Sequence, residues 1–140
     1  MVDELARRYG LTLAPALSQV PDVVVAKRYG ERPLLLAKPL TYMNLSGKAA
    51  ALAAHFYKID PSEILVVYDD ISLPLGQLRF RMNGGPGGHN GIKSLIADLG
   101  STEFPRLKIG IGWVAGEKLT GHVLGRFREE ERKRAEKALE

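Results

Sequence analysis

At 140 residues, with 45% hydrophobic residues and a net charge of +4, the chain has the size of one domain with a buried core. It contains no cysteine, which excludes disulfides and thiolate metal sites and fits a reducing cytosol. No apolar run is long enough to span a membrane, residues 1–8 are too charged for a secretion signal, and the basic balance suits a phosphate-rich partner.

Val2, Leu5, Ala6 and Tyr9 recur at helical spacing and Gly10 supplies a stop, so a helix is predicted at once. It needs something to pack on that the first residues do not supply. Residues 11–21, with Pro15 and Pro21, read as a loop. Residues 23–28 and 33–37 read as strands, with a hairpin turn at 29–32. Residues 38–44 leave the second strand as a loop. Leu45, Ala49, Leu52, Ala53 and Phe56 then mark one helix face, which Asn44 or Ser46 can cap.

After a turn at 60–63, residues 64–68 are apolar without alternation, as expected of a strand buried on both faces, and end at Asp69-Asp70. A strand-like segment follows at 77–81 and an alternating one at 106–111. Residues 115–122 read as a loop, and the last fifteen or so as a solvated helix. Strands and helices interleave. The expected fold is α/β: a single domain, 1–140, with a mostly parallel mixed sheet and helices on both faces.

The chain is organised around Asn83-Gly84-Gly85-Pro86-Gly87-Gly88-His89-Asn90-Gly91. A helix stripe of Ile92, Leu95, Ile96 and Leu99 follows it. Glycines let another molecule approach the backbone, and a helix start offers free N–H groups to an anion or a carbonyl. The competing reading is a long glycine turn capped by Asn90.

In open α/β sheets ligands gather at the carboxyl ends of strands. Asn44, Asp69 and Asn90 fall there and are expected to share one pocket. An amide donates and accepts at once, so two of them can orient a water or a carbonyl. A carboxylate can hold a histidine in one tautomer. The plain alternatives are a cap for Asn44 and a turn for Asp69. His55, within a helix, reads as structural, and His122 belongs to no constellation. The glycine loop lacks the Gly-Lys-Ser/Thr ending of a Walker loop, and Asn90 stands where a dinucleotide fingerprint needs its third glycine. Asp69-Asp70 lacks a third ligand for magnesium.

Four ordered motifs resemble bacterial peptidyl-tRNA hydrolase. They are Lys38-Pro39-Leu40-Thr41-Tyr42-Met43-Asn44-Leu45-Ser46-Gly47, then Leu65-Val66-Val67-Tyr68-Asp69-Asp70, then Gly84-Gly85-Pro86-Gly87-Gly88-His89-Asn90-Gly91-Ile92-Lys93, then Arg106-Leu107-Lys108-Ile109-Gly110-Ile111-Gly112. The resemblance implies a cytoplasmic, monomeric, metal-free and cofactor-free enzyme. It cleaves the ester joining a peptide to the 3′ ribose of tRNA. Asn44 and Asn90 look like the amides that hold substrate and water, and Tyr42 like the aromatic near the RNA 3′ end. Asp69 looks like the carboxylate behind the catalytic histidine. Lys93, Arg106 and Lys108 are implied phosphate contacts.

The family's catalytic histidine lies in an Arg-His-Asn run before its first helix, and the 140 residues hold no such run. The expectation is a chain truncated at both ends and nearly inactive alone. The alternatives are a non-catalytic RNA-binding relative of the same fold, or a nucleotide-binding domain using the glycine loop.

Overall fold

Along β2 (Val23–Arg28) the side chains alternate between two apolar layers, as the period of a strand requires. Val23 and Val25 meet Val20, with Ala49 and Ala53 of α2 (Ser46–Phe56). Ala26 meets Ala6 of α1 (Val2–Arg8) and Leu36 of β3 (Leu34–Pro39). Helices therefore cover both faces of this sheet. The first helix finds its support on residues further along the chain, with Val2, Leu5 and Leu34 around the contact.

The computed structural model describes residues 1–112 and Lys137. By packing they fall into two compact units, residues 1–64 with 84–104, and residues 65–83 with those from 105 onward. The expected loop at 115–122, the closing helix and His122 lie outside the described residues.

The first unit holds α1, α2, α3 (Asn90–Leu99) and an antiparallel sheet in the order β1-β2-β3. Its shortest strand, β1 (Ala14–Pro15), lies in the stretch expected to be a loop. Two residues, one of them proline, leave no strand period to read. The β2–β3 hairpin pairs Val23 with Pro39 through to Arg28 with Leu34, around the expected turn.

The second unit holds β4 (Val66–Asp70), β5 (Leu78–Arg81) and β6 (Arg106–Gly110) in the order β4-β6-β5. Strand β4 runs parallel to β6, and β5 antiparallel to it.

The α/β class stands. Among the described residues the strands form two three-stranded sheets rather than one mostly parallel sheet, and β4–β6 is the one parallel pair. Tight turns force antiparallel neighbours, while parallel ones need a long crossover, which residues 71–105 supply between β4 and β6. Strand β4 is also half-buried throughout rather than buried on both faces. Among the described residues it lies at the edge of its sheet, and β6 is the central strand. No helix among the described residues is long and apolar enough to cross a membrane.

Just past β4 the chain turns on Asp70, whose Oδ1 accepts from the Ser72 amide at 2.8 Å and the Ser72 hydroxyl at 2.6 Å. Lys108 Nζ lies 3.7 Å from its other oxygen. Burial alone raises the Asp70 carboxyl. The two Ser72 bonds and the Lys108 charge more than offset it, so the group sits below the usual carboxylate range. A depressed folded value means stability that is present above the unfolded value, about 3.9, and lost as pH falls through the folded one. Asp70→Asn, which keeps an acceptor and removes the charge, is expected to cost about 1 kcal/mol at pH 7. Urea denaturation should show that gap closing below about pH 4. A gap independent of pH would separate Asp70 from the effect.

Candidate functional site

Strand β3 ends at Pro39, and the loop that follows carries Tyr42 and a 3₁₀ turn, Met43–Leu45. Tyr42 is 83% exposed, its ring presented to solvent. Asn44 is exposed in the middle of the turn.

Both capping alternatives fail here. Helix α2 is preceded by Leu45 and has no side-chain cap of its own. Instead Ser94 Oγ, from α3, accepts from the Gly47 amide at 2.8 Å. The N-cap of α3 is His89, whose Nδ1 accepts from the Ile92 amide at 3.3 Å, while Asn90 is the first helical residue and is exposed. Helix starts need acceptors for their free N–H groups, and once Ser94 and His89 supply them the two asparagine side chains are released from that task.

The two amides belong to neighbouring elements. A Cβ on Gly91 would come within 2.6 Å of Met43 Sδ, so the residue after Asn90 and the residue before Asn44 touch. Lys93, three residues beyond Asn90, is exposed on the adjoining part of the helix. Before the helix, Gly87 and Gly88 hold φ of +56° and +80°, and a Cβ on either would meet nothing within 4 Å. The loop is thus open on its outer side, as close approach by another molecule requires.

Among the described residues His89 is the histidine nearest these amides, and a ring nitrogen already accepting a bond, as its Nδ1 does from the Ile92 amide, is not at the same time available to take a proton. His55 is exposed near the end of α2 rather than packed in the core.

In the second unit Asp69 is half-buried on β4, opposite Ile109 of β6. Lys108 keeps its ammonium near Asp70. Arg106 is 1% exposed. A guanidinium so buried is turned into the fold rather than towards solvent, unlike the exposed Lys93. The alternation of residues 106–111 put Arg106 and Lys108 on one face, and the sequence carried no sign that this face is the covered one. Among the described residues no cluster of three His, Asp or Glu side chains is arranged to hold a metal.

The family model described as peptidyl-tRNA hydrolase matches residues 1–140. The chain belongs to the peptidyl-tRNA hydrolase family. A family member from Chloroflexus aurantiacus is 51% identical over 134 residues, 93% of this chain and 69% of that one. Another, from Geobacillus kaustophilus, is 45% identical over 140 residues, 99% of this chain and 74% of the relative. The crystal structure of the Acinetobacter baumannii peptidyl-tRNA hydrolase superposes with a TM-score of 0.88 at 33% identity, covering 97% of this chain and 69% of that one. The family resemblance read from the four motifs is therefore borne out. The end-to-end match to the family model gives no support to the expected missing segments.

Proposed function

We propose that the chain acts on peptidyl-tRNA, holding the acylated 3′ end of the RNA for hydrolysis of its ester. The observation that carries this is the release of both asparagines from helix capping. Two exposed amides on touching elements can offer N–H donors to an ester carbonyl and carbonyl acceptors to a water. In the reaction water adds to the ester carbonyl, the bond to the 3′ oxygen breaks, and a proton passes to that oxygen. Asn44 and Asn90 position carbonyl and water, and donors aimed at the developing oxyanion favour the transition state. Tyr42 stacks on the terminal base, and Lys93 meets phosphate. Asp69 has the part that the family resemblance assigns it, a carboxylate supporting a histidine base. Residues 1–140 act as one domain and use neither metal nor second subunit.

The test is binding of an amide-linked analogue of the acylated 3′ adenosine, which cannot be cleaved. Asn44→Ala and Asn90→Ala should each weaken it about 5- to 30-fold by loss of one or two hydrogen bonds. Both side chains are exposed, so thermal melting should be unchanged. Unchanged affinity in both variants would sink the assignment.

A second reading, RNA binding without cleavage, rests on the cap bond that occupies His89 Nδ1 and on the lack of an Arg-His-Asn run. It predicts the same binding and no turnover.

A further inference from the structure

We propose that the tip of the β2–β3 hairpin is a second RNA-binding surface, one that takes the phosphate backbone of the tRNA away from its acylated end. The inference rests on the reading of the substrate as a tRNA. Between residues 27 and 32, at the tip, the chain carries Lys27, Arg28 and Arg32 against a single acid, Glu31. Lys27 and Arg28 are strand neighbours and so point to opposite faces. Each lies over a tyrosine ring. Lys27 Nζ is 4.5 Å from the centroid of Tyr57, and Arg28 Cζ is 4.6 Å from that of Tyr9. The two stacks hold both cations at the same end of the hairpin, one on either side.

Arg28 also fixes the turn, donating from Nε and Nη2 to the Arg32 carbonyl at 3.2 and 3.0 Å. Arg32 itself is exposed, and Tyr29 is 81% exposed. A large aromatic so exposed adds nothing to the core. Placed among arginines and a lysine, it matches the combination that binds nucleic acid, charge for the backbone and a ring face for a base or sugar.

The geometry sets the reach. Strand β3 begins at the hairpin tip with Leu34 and ends at Pro39, next to the loop of Tyr42 and Asn44. Five strand steps of about 3.4 Å separate tip and loop by about 17 Å. A stacked strand rises about 3.4 Å per nucleotide, so roughly five nucleotides lie between the two surfaces. A terminal adenosine cannot touch both, whereas a tRNA can.

The experiment compares the full chain with Arg32→Glu, Tyr29→Ala and the double variant on three probes. These are deacylated tRNA, the amide-linked acyl-adenosine analogue, and phosphatidylserine–phosphatidylcholine vesicles. The double variant should bind tRNA about tenfold or more weakly, with the salt dependence of log K reduced by about one. The analogue should bind all forms equally. Undiminished tRNA affinity in the double variant, or no tRNA binding by the parent chain, would overturn the proposal. So would vesicle binding that the substitutions abolish while tRNA binding stays intact, since the surface would then serve a membrane. Loss of analogue binding in the parent chain alone would count against the amide site and leave the hairpin result readable. Tyr29→Ala removes only an exposed ring, so its effect is interpretable even if the charge reversal disturbs the turn.

Discussion

Purified as these 140 residues, the protein is expected to release peptide from N-blocked aminoacyl-tRNA about 10²–10⁴-fold more slowly than its Chloroflexus relative under the same conditions. Water is a poor nucleophile and needs a base with a pKa near the working pH. Histidine, at about 6.5, fits, whereas a carboxylate near 4 is too weak. His89 spends Nδ1 on the Ile92 amide, and the family's Arg-His-Asn run does not occur in the sequence. On the proposed reading the amides align ester and water, and among the described residues no base has been placed beside them to take the proton. Added imidazole should restore part of the rate, because a small base of suitable pKa can enter an aligned site. The restoration should vanish in Asn90→Ala, where alignment is lost. A relative-like rate without imidazole would place a working base within these residues. No cleavage even with imidazole, alongside intact analogue binding, would favour the non-catalytic reading.

Legibility from sequence followed the range of the interactions involved. The valine run of β2, the turn after Arg28 and the stripe of α3 are local patterns, and each element appears at the expected residues. Asn44 and Asn90 stand out by residue type and by the family motifs. What freed them was not visible, because Ser94 reaches α2 across 47 positions of sequence. A histidine is also an unusual N-cap, so Asn90 was the natural reading for that place. Sheet order and the burial of Arg106 are set by pairing and packing between distant segments, which no window of residues displays. The exposed Tyr29 and its flanking cations could have been noticed as an interleaving of charge and ring. The stacking of Lys27 and Arg28 on Tyr57 and Tyr9 could not.

Gly47→Ala is expected to destabilise the protein by about 2–4 kcal/mol, measured by urea denaturation. The glycine lies one residue into α2, at the crossing with α3. A Cβ there would fall against the carbonyl of Ser94 and within 2.7 Å of Asp98 Oδ2. The obstacle is backbone, so a rotamer change cannot relieve it. Alanine would gain about 1 kcal/mol in helix propensity. Against that stand overpacking, at about 1–3 kcal/mol or more, and loss of the buried bond from the Gly47 amide to Ser94 Oγ. Gly85→Ala is the control, because a Cβ at Gly85 meets nothing within 4 Å and its φ is not in the left-handed region. It should be nearly neutral, and equal costs at the two positions would refute the close-approach argument. The consequence reaches the site, because the α2–α3 crossing fixes the distance between the turn of Asn44 and the start of α3 at Asn90. Any Gly47→Ala protein that still folds should therefore lose affinity for the acyl-adenosine analogue, although residue 47 touches no substrate.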